Sequence, residues 1–215
     1  MLRALATTTA AVLGLAACAP AAPRNDFEGG PLVAFYGDSY TLGTGASSTD
    51  KRWSTIICQD RGWNEYNPSV NGLGFVNNRY TFGEGDLPSL VIAEEPDIVF
   101  VTMGLNDNFS FDAAGTDIRD RIESDLARMK GALPEARFVV VEPFWYTDER
   151  PRSVGVIIDW VQEAALEFEA DYISGASRWL EGHPEWMASD GLHPNDDGYA
   201  EMAERMDEAL REIGL

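Results

Sequence analysis

The chain is poor in the side chains that bind metals and cross-link polypeptides. Its 215 residues include two cysteines, Cys18 and Cys58, and two histidines, His183 and His193. A Cys/His zinc centre therefore has too few ligands, and a small disulfide-stapled scaffold is excluded. Basic residues are scarce as well. Sixteen Lys+Arg stand against 36 Asp+Glu, a formal charge of −20. A surface this acidic repels the phosphates that dominate nucleic-acid affinity and gains nothing from anionic lipid headgroups, so nucleic acid is excluded as a partner. Beyond the first residues there is no apolar run of eighteen, no internal repeat and no low-complexity segment. What is present is core-forming material: 45% hydrophobic and 11% aromatic residues, enough to bury a sizeable interior and incompatible with a disordered tail.

Residues 1–17 do not read as part of a fold. Arg3 precedes an apolar, small-residue run from Ala4 to Ala17 that is too short to span a bilayer stably. The run ends Leu15-Ala16-Ala17-Cys18, ahead of the loose Ala19-Pro20-Ala21-Ala22-Pro23. This ending resembles the lipobox of bacterial lipoproteins, in which the cysteine becomes the lipidated first residue. An ordinary secretory signal is the alternative, and both imply export. The expected organisation is a signal peptide at 1–17, a flexible tether at 18–30 and one domain at 31–215, with membrane contact only through a lipid on Cys18. Cys58 would then lack a disulfide partner; within Trp53-Ser-Thr-Ile-Ile-Cys58 it reads as a small buried hydrophobe.

From residue 27 onward, short apolar runs alternate with amphipathic stretches. Leu32–Tyr36, Asp97–Met103 and Arg137–Glu142 have the composition of buried parallel strands, with Trp63–Tyr66 and Asp171–Ser174 as weaker candidates. Helical spacing links Ile118, Ile122, Leu126, Met129 and Leu133, then Val154, Ile157, Ile158, Val161, Ala165 and Phe168. It recurs in Tyr199, Met202, Met206 and Leu210, with Asp196 or Asp197 as the expected N-cap. Strict alternation of strand and helix predicts one α/β domain with a largely parallel sheet and helices on both faces. In such a sheet, functional residues follow the carboxyl ends of the strands.

Four short segments occupy those positions. Gly37-Asp38-Ser39-Tyr40 follows the first strand, Ser69-Val70-Asn71-Gly72 the second, and Gly104-Leu105-Asn106-Asp107 the third. Asp190-Gly191-Leu192-His193-Pro194 precedes the last helix. A serine becomes a nucleophile only beside a base, and the base needs an orienting acceptor. Asp190 can reach back to one ring N–H of His193, leaving the other nitrogen for the Ser39 hydroxyl. His183 has Leu180 at the equivalent position, and reads as a loop residue without such a partner. Neither Gly-x-Ser-x-Gly nor a phosphate-binding glycine loop is present. Asp38 and Asp107 read as capping or bracing groups, not metal ligands.

Together the four segments resemble the SGNH hydrolases, also called GDSL lipases and esterases, from about Leu32 to Gly198. The one departure is Tyr40 where the name-giving motif has Leu. The resemblance implies a three-layer flavodoxin-like fold, no cofactor and a Ser39–His193–Asp190 triad. It also implies an oxyanion hole from the N–H groups of Ser39 and Gly72 and the amide of Asn106. Gly72 is preferred over Gly74 because Ser69-Val-Asn-Gly72 matches the family block better. Phe109, Phe111, Trp145 and Tyr146 follow strands three and four and could rim the site or simply cover the core edge. The expected activity is ester hydrolysis, with short acyl groups on carbohydrate or small esters as substrate. A thioesterase or acyltransferase on the same residues, or a non-catalytic glycan-binding lipoprotein, are the alternatives. Oligomeric state is not legible.

Overall fold

The computed structural model describes residues 27–82 and 85–215; the expected signal peptide and Cys18 lie outside them. Five strands form: β1 (Leu32–Gly37), β2 (Asn64–Tyr66), β3 (Ile98–Thr102), β4 (Arg137–Val141) and β5 (Asp171–Ile173). Six α-helices accompany them among the described residues: α1 (Ser39–Leu42), α2 (Trp53–Arg61), α3 (Leu87–Ala93), α4 (Phe111–Ala132), α5 (Arg152–Glu167) and α6 (Asp196–Glu212). The sheet order is β2-β1-β3-β4-β5, and every pairing is parallel.

Side chains alternate across each strand with period two, and this divides the core. Val33, Phe35, Phe100, Val139 and Val141 face one layer, packed with Trp53 and Ile57 of α2 and Met202 and Met206 of α6. Ala34, Tyr36, Val99, Val101 and Val140 face the other, against Leu87 of α3, Ile118 and Ile122 of α4, and Ile157 and Val161 of α5. The result is the three-layer arrangement expected from the sequence. The central strands are apolar on both faces because both are covered. Cys58 is buried and free. Among the described residues no helix is long and apolar enough to cross a membrane.

Chain order reverses at β1: the chain passes to β2 on one side, then returns to β3 on the other. The carboxyl ends of β1 and β3 therefore flank a topological switch point, where open α/β sheets place their ligands. Ser39 follows β1 and Asn106 follows β3.

Two expectations are corrected, and one element is added. The N-cap of α6 is Asn195, whose side chain accepts from the Gly198 N–H at 3.0 Å. Asp196 is instead taken up by the Ser47 N–H and hydroxyl, at 2.7 and 2.6 Å. Residues 27–30 belong to the domain and not to a tether, since Asn64 bonds the Phe27 N–H and the Phe27 and Gly30 carbonyls at 2.8–3.0 Å. A helix not anticipated from the sequence, α3, forms over Leu87–Ala93, capped by Asp86 with Pro88 in its first turn.

Candidate active site

The turn that carries Ser39 is set by sterics at its first residue. A Cβ on Gly37 would lie 2.5 Å from Thr102 Oγ1 and 2.6 Å from Thr41 Cβ, so only glycine lets β1 run this close to both neighbours. Asp38 then caps α1, its Oδ1 accepting the Tyr40 N–H at 2.9 Å. Ser39 is the first residue of that helical turn, so its own N–H has no intrahelical acceptor. The side chain of Ser39 is 4% exposed, at the base of the strand-to-helix elbow.

Asp38 is fully sequestered, and burial pushes its carboxyl up to about 7, with the Tyr40 N–H opposing and Asp107 adding to the rise. Its other oxygen lies 3.3 Å from Asn106 Nδ2, which also donates to Leu73 O at 2.9 Å. Both amide hydrogens of Asn106 are thereby engaged. An oxyanion would replace one of these acceptors, and the Asp38 contact is the longer.

The loop after β2 separates the two candidate glycines. Gly72, at φ +70°, accepts at its carbonyl from Asn77 and Asn78 at 2.8 and 2.9 Å. Its N–H meets no acceptor among the described residues. The Gly74 N–H is already given to Asn77 O at 2.9 Å, and a Cβ on Gly74 would lie 2.5 Å from Asp107 Oδ1. Gly74 therefore serves packing, and Gly72 keeps a free donor. Asp107 organises this loop. Its carboxylate, 0% exposed, accepts the N–H groups of Phe75, Val76 and Asn77 at 2.7, 2.8 and 3.1 Å. Beneath it, Arg79 binds Asp125 at 2.6 and 2.7 Å, and Asp125 also accepts from Tyr36 Oη at 2.7 Å. Asp107 is thus the bracing group expected from the sequence; the Arg79–Asp125 pair beneath it was not anticipated, because its two residues lie on different elements.

His193 sits on a hairpin instead. The Ala188 N–H donates to His193 O and the Asn195 N–H to Trp186 O, both at 2.8 Å. Asp190 Oδ1 accepts the Leu192 and His193 N–H groups at 2.9 and 3.0 Å, and Oδ2 lies 2.7 Å from His193 Nδ1. The hydrogen bond from the His193 ring, followed by the two backbone ones, holds the Asp190 carboxyl down at about 2. With Nδ1–H given to Asp190, Nε2 carries the lone pair a base requires. No hydrogen bond joins Ser39 Oγ to His193 in this structure. The two are linked through Tyr40, whose ring centroid is 6.1 Å from the His193 ring. Such contacts commonly tighten only when substrate is bound.

The expected rim divides. Phe109 projects at 59% exposure from the turn that carries Asn106. Its neighbours are pinned, Asn108 by the Ser153 hydroxyl at 2.5 Å and Ser110 to Asn77 at 2.7 Å. Tyr146 is half-buried beside Trp145, with centroids 4.6 Å apart. Phe111 stacks on Trp160 at 5.7 Å. Trp145 is not a rim residue: it is 3% exposed within the core, its Nε1 donating to Thr147 Oγ1 and Glu149 O. An indole N–H with internal partners can be buried, and burial gains more apolar area than the edge would. His183 does have a carboxylate neighbour, Glu185 at 2.8 Å, and stacks on Trp186. It remains outside the four-segment cluster.

A strand-end serine, a loop glycine with a free N–H, an asparagine bonded to a chain neighbour of each and a carboxylate-oriented histidine define a class, and sequence comparison agrees. Residues 35–201 match the GDSL-like lipase/acylhydrolase family; the chain belongs to that family and is an ester hydrolase. It is 26% identical over 213 residues to the GDSL lipase Rv0518 of Mycobacterium tuberculosis, covering 91% of this chain and 90% of that one. Among solved structures, TesA superposes with a TM-score of 0.68 at 19% identity, over 85% of this chain and 98% of that one. A psychrotrophic esterase, EstA, from Pseudoalteromonas sp. gives 0.66 at 15% identity, over 85% and 98%. An acetylxylan esterase from Geobacillus stearothermophilus gives 0.64 at 19%, over 86% and 95%. These likenesses establish the shared fold.

Proposed function

We propose that this ester hydrolase works through a Ser39 acyl-enzyme, with His193 as base and then acid and Asp190 as orienting carboxylate. The observation that carries the reading is the Asp190–His193 pair, at 2.7 Å with both neighbouring N–H groups held by the same carboxylate. In this reading His193 Nε2 takes the Ser39 proton while Oγ attacks the ester carbonyl. The negative charge formed is met by the N–H groups of Ser39 and Gly72 and by Asn106 Nδ2. Each preorganised donor of this kind is typically worth about 2.7–4 kcal/mol, or 10²–10³ in rate. The imidazolium then protonates the leaving alcohol, and His193 activates the water that frees the acid.

For the substrate, we infer short acyl groups, acetyl above all, on carbohydrate or small esters. The support is the exposed Phe109 ring beside Asn106, which can lie against a sugar face or an alkyl group, and the fold shared with an acetylxylan esterase. Release of p-nitrophenol from acetate, butyrate and octanoate esters tests both parts. The expected result is a steep fall from acetate to octanoate and a loss of about 10⁴–10⁶ in kcat for Ser39→Ala and His193→Ala. Wild-type turnover in either variant would reject the triad, and a preference for octanoate would reject the substrate class.

We infer export from the run Ala4–Ala17, and a lipid anchor from Cys18. In cells expressing the full chain, Cys18→Ala is then expected to shift the protein from the membrane fraction to the soluble one. An unchanged distribution would remove the anchor.

A further inference from the structure

Ser39 and His193 come from opposite ends of the chain, and their separation has to be held by something between them. Three hydrogen-bonded ties join the segment after β1 to the hairpin of His193 and the start of α6. Tyr40 Oη donates to Leu192 O at 2.6 Å, across 152 residues of sequence. Tyr199 Oη donates to Thr44 O at 2.8 Å, and Ser47 binds Asp196. Only the first begins on the residue bonded to Ser39 and ends on the residue bonded to His193.

Tyr40 is itself immobilised at every polar or aromatic group it has. Its N–H goes to Asp38, its carbonyl accepts from Trp53 Nε1 at 3.1 Å, and its ring stacks on Phe144 at 5.7 Å. The side chain is 0% exposed. At the receiving end, the Leu192 N–H is held by Asp190 and the Leu192 carbonyl by Tyr40, so this peptide is clamped on both sides. Among the described residues no other donor reaches that carbonyl. A leucine at position 40, as in the name-giving motif, would fill space but offer no donor.

We propose that Tyr40 is the positioning residue of this enzyme, its hydroxyl setting the distance and aim of His193 relative to Ser39. The inference rests on the triad reading, and the two fail separately. Wild-type turnover by Ser39→Ala sinks the triad, whereas this inference is tested within enzyme whose activity depends on Ser39. The experiment compares Tyr40→Phe, Tyr40→Leu and Tyr199→Phe in the full chain. The readouts are steady-state hydrolysis of p-nitrophenyl acetate, the rate of labelling by a fluorophosphonate, and thermal melting.

Tyr40→Phe is expected to lower kcat about tenfold to a hundredfold, the scale of a misplacement near 1 Å, with KM within about twofold. The labelling rate should fall in parallel, because an unaligned base leaves the serine unactivated. Tyr199→Phe removes an equivalent hydroxyl-to-carbonyl bond from the same seam and should keep kcat within about twofold. Tyr40→Leu reads the same quantity should Tyr40→Phe not accumulate. Folded Tyr40→Phe or Tyr40→Leu with wild-type kcat and labelling rate would overturn the proposal. So would an equal loss in Tyr199→Phe, since that would mark general loosening of the seam.

Discussion

Asp107 and Asp190 do the same job with opposite electrostatic results. Each carboxylate gathers three N–H groups of a loop: Phe75, Val76 and Asn77 for Asp107, and Leu192, His193 and the His193 ring for Asp190. Asp107 is buried, and desolvation raises its pKa in spite of those bonds. Asp190 has 48% of its side chain exposed, and the same kind of bonds pull it down to about 2. The number of hydrogen bonds is therefore not what decides the direction of the shift; access to water is. The side of the site that carries Ser39 and Asn106 is built into the core. The base side is a surface hairpin held by its own short-range bonds and by Tyr40.

The largest expected effect breaks this pairing on the exposed side. Asp190→Asn can still accept both backbone N–H groups, but its amide cannot accept the ring N–H, so His193 adopts the wrong tautomer. A fall of about 10⁴ in kcat is expected, as for other triads that lose this acceptor. Stability should fall by only about 1 kcal/mol, the worth of one partly exposed charge-assisted hydrogen bond and well below the loss at buried Asp107. Parallel kinetics and calorimetry check it; a large loss of stability would erase the distinction between the two sides.

On the buried side, Asp38 supplies a pH signature. Its pKa rises from 3.8 to about 7 in the folded protein, so between those values the native state holds a proton that the unfolded chain has released. Wild-type stability therefore falls as pH rises from about 4 to about 7 and is not recovered above, a cost on the order of 4 kcal/mol. Asp38→Asn lacks that titration. Its melting temperature relative to wild type is expected to climb between pH 4.5 and pH 7.5, while activity drops because Asn106 loses an acceptor. A pH-independent difference between the two proteins would show that Asp38 is ionised throughout.

The smallest of the three concerns Asp107. In Asp107→Asn the carbonyl oxygen can keep two of the N–H groups, but the amide confronts the third, donor against donor, in a dry site. The expected cost is about 3 kcal/mol, or ~6–12 °C in melting temperature for a domain of this size. Displacement of the Gly72 loop should add about 10² in kcat. A variant that loses activity with unchanged melting would place Asp107 among groups acting on catalysis alone.

Much of this was legible in the residues. The central strands could be read from β-branched and aromatic runs, because a strand covered on both faces has no polar positions to disguise it. Asp190 and His193 were legible because they are three residues apart and meet within one turn of chain. Trp145 stayed open between rim and core because a large aromatic after a strand looks the same in sequence whether it lines a cleft or fills the core. The cap of α6 was misplaced by one residue because Ser47, a remote partner, claims Asp196.

By itself, then, the sequence determined the elements, their alternation and the chemical types gathered at the strand ends, since these depend on local pattern and short spacing. Tertiary structure alone decided which donors stay free, which carboxylates lose their water and how Tyr40 reaches Leu192. Those properties depend on contacts between residues far apart in the chain, where neither periodicity nor motif carries a signal.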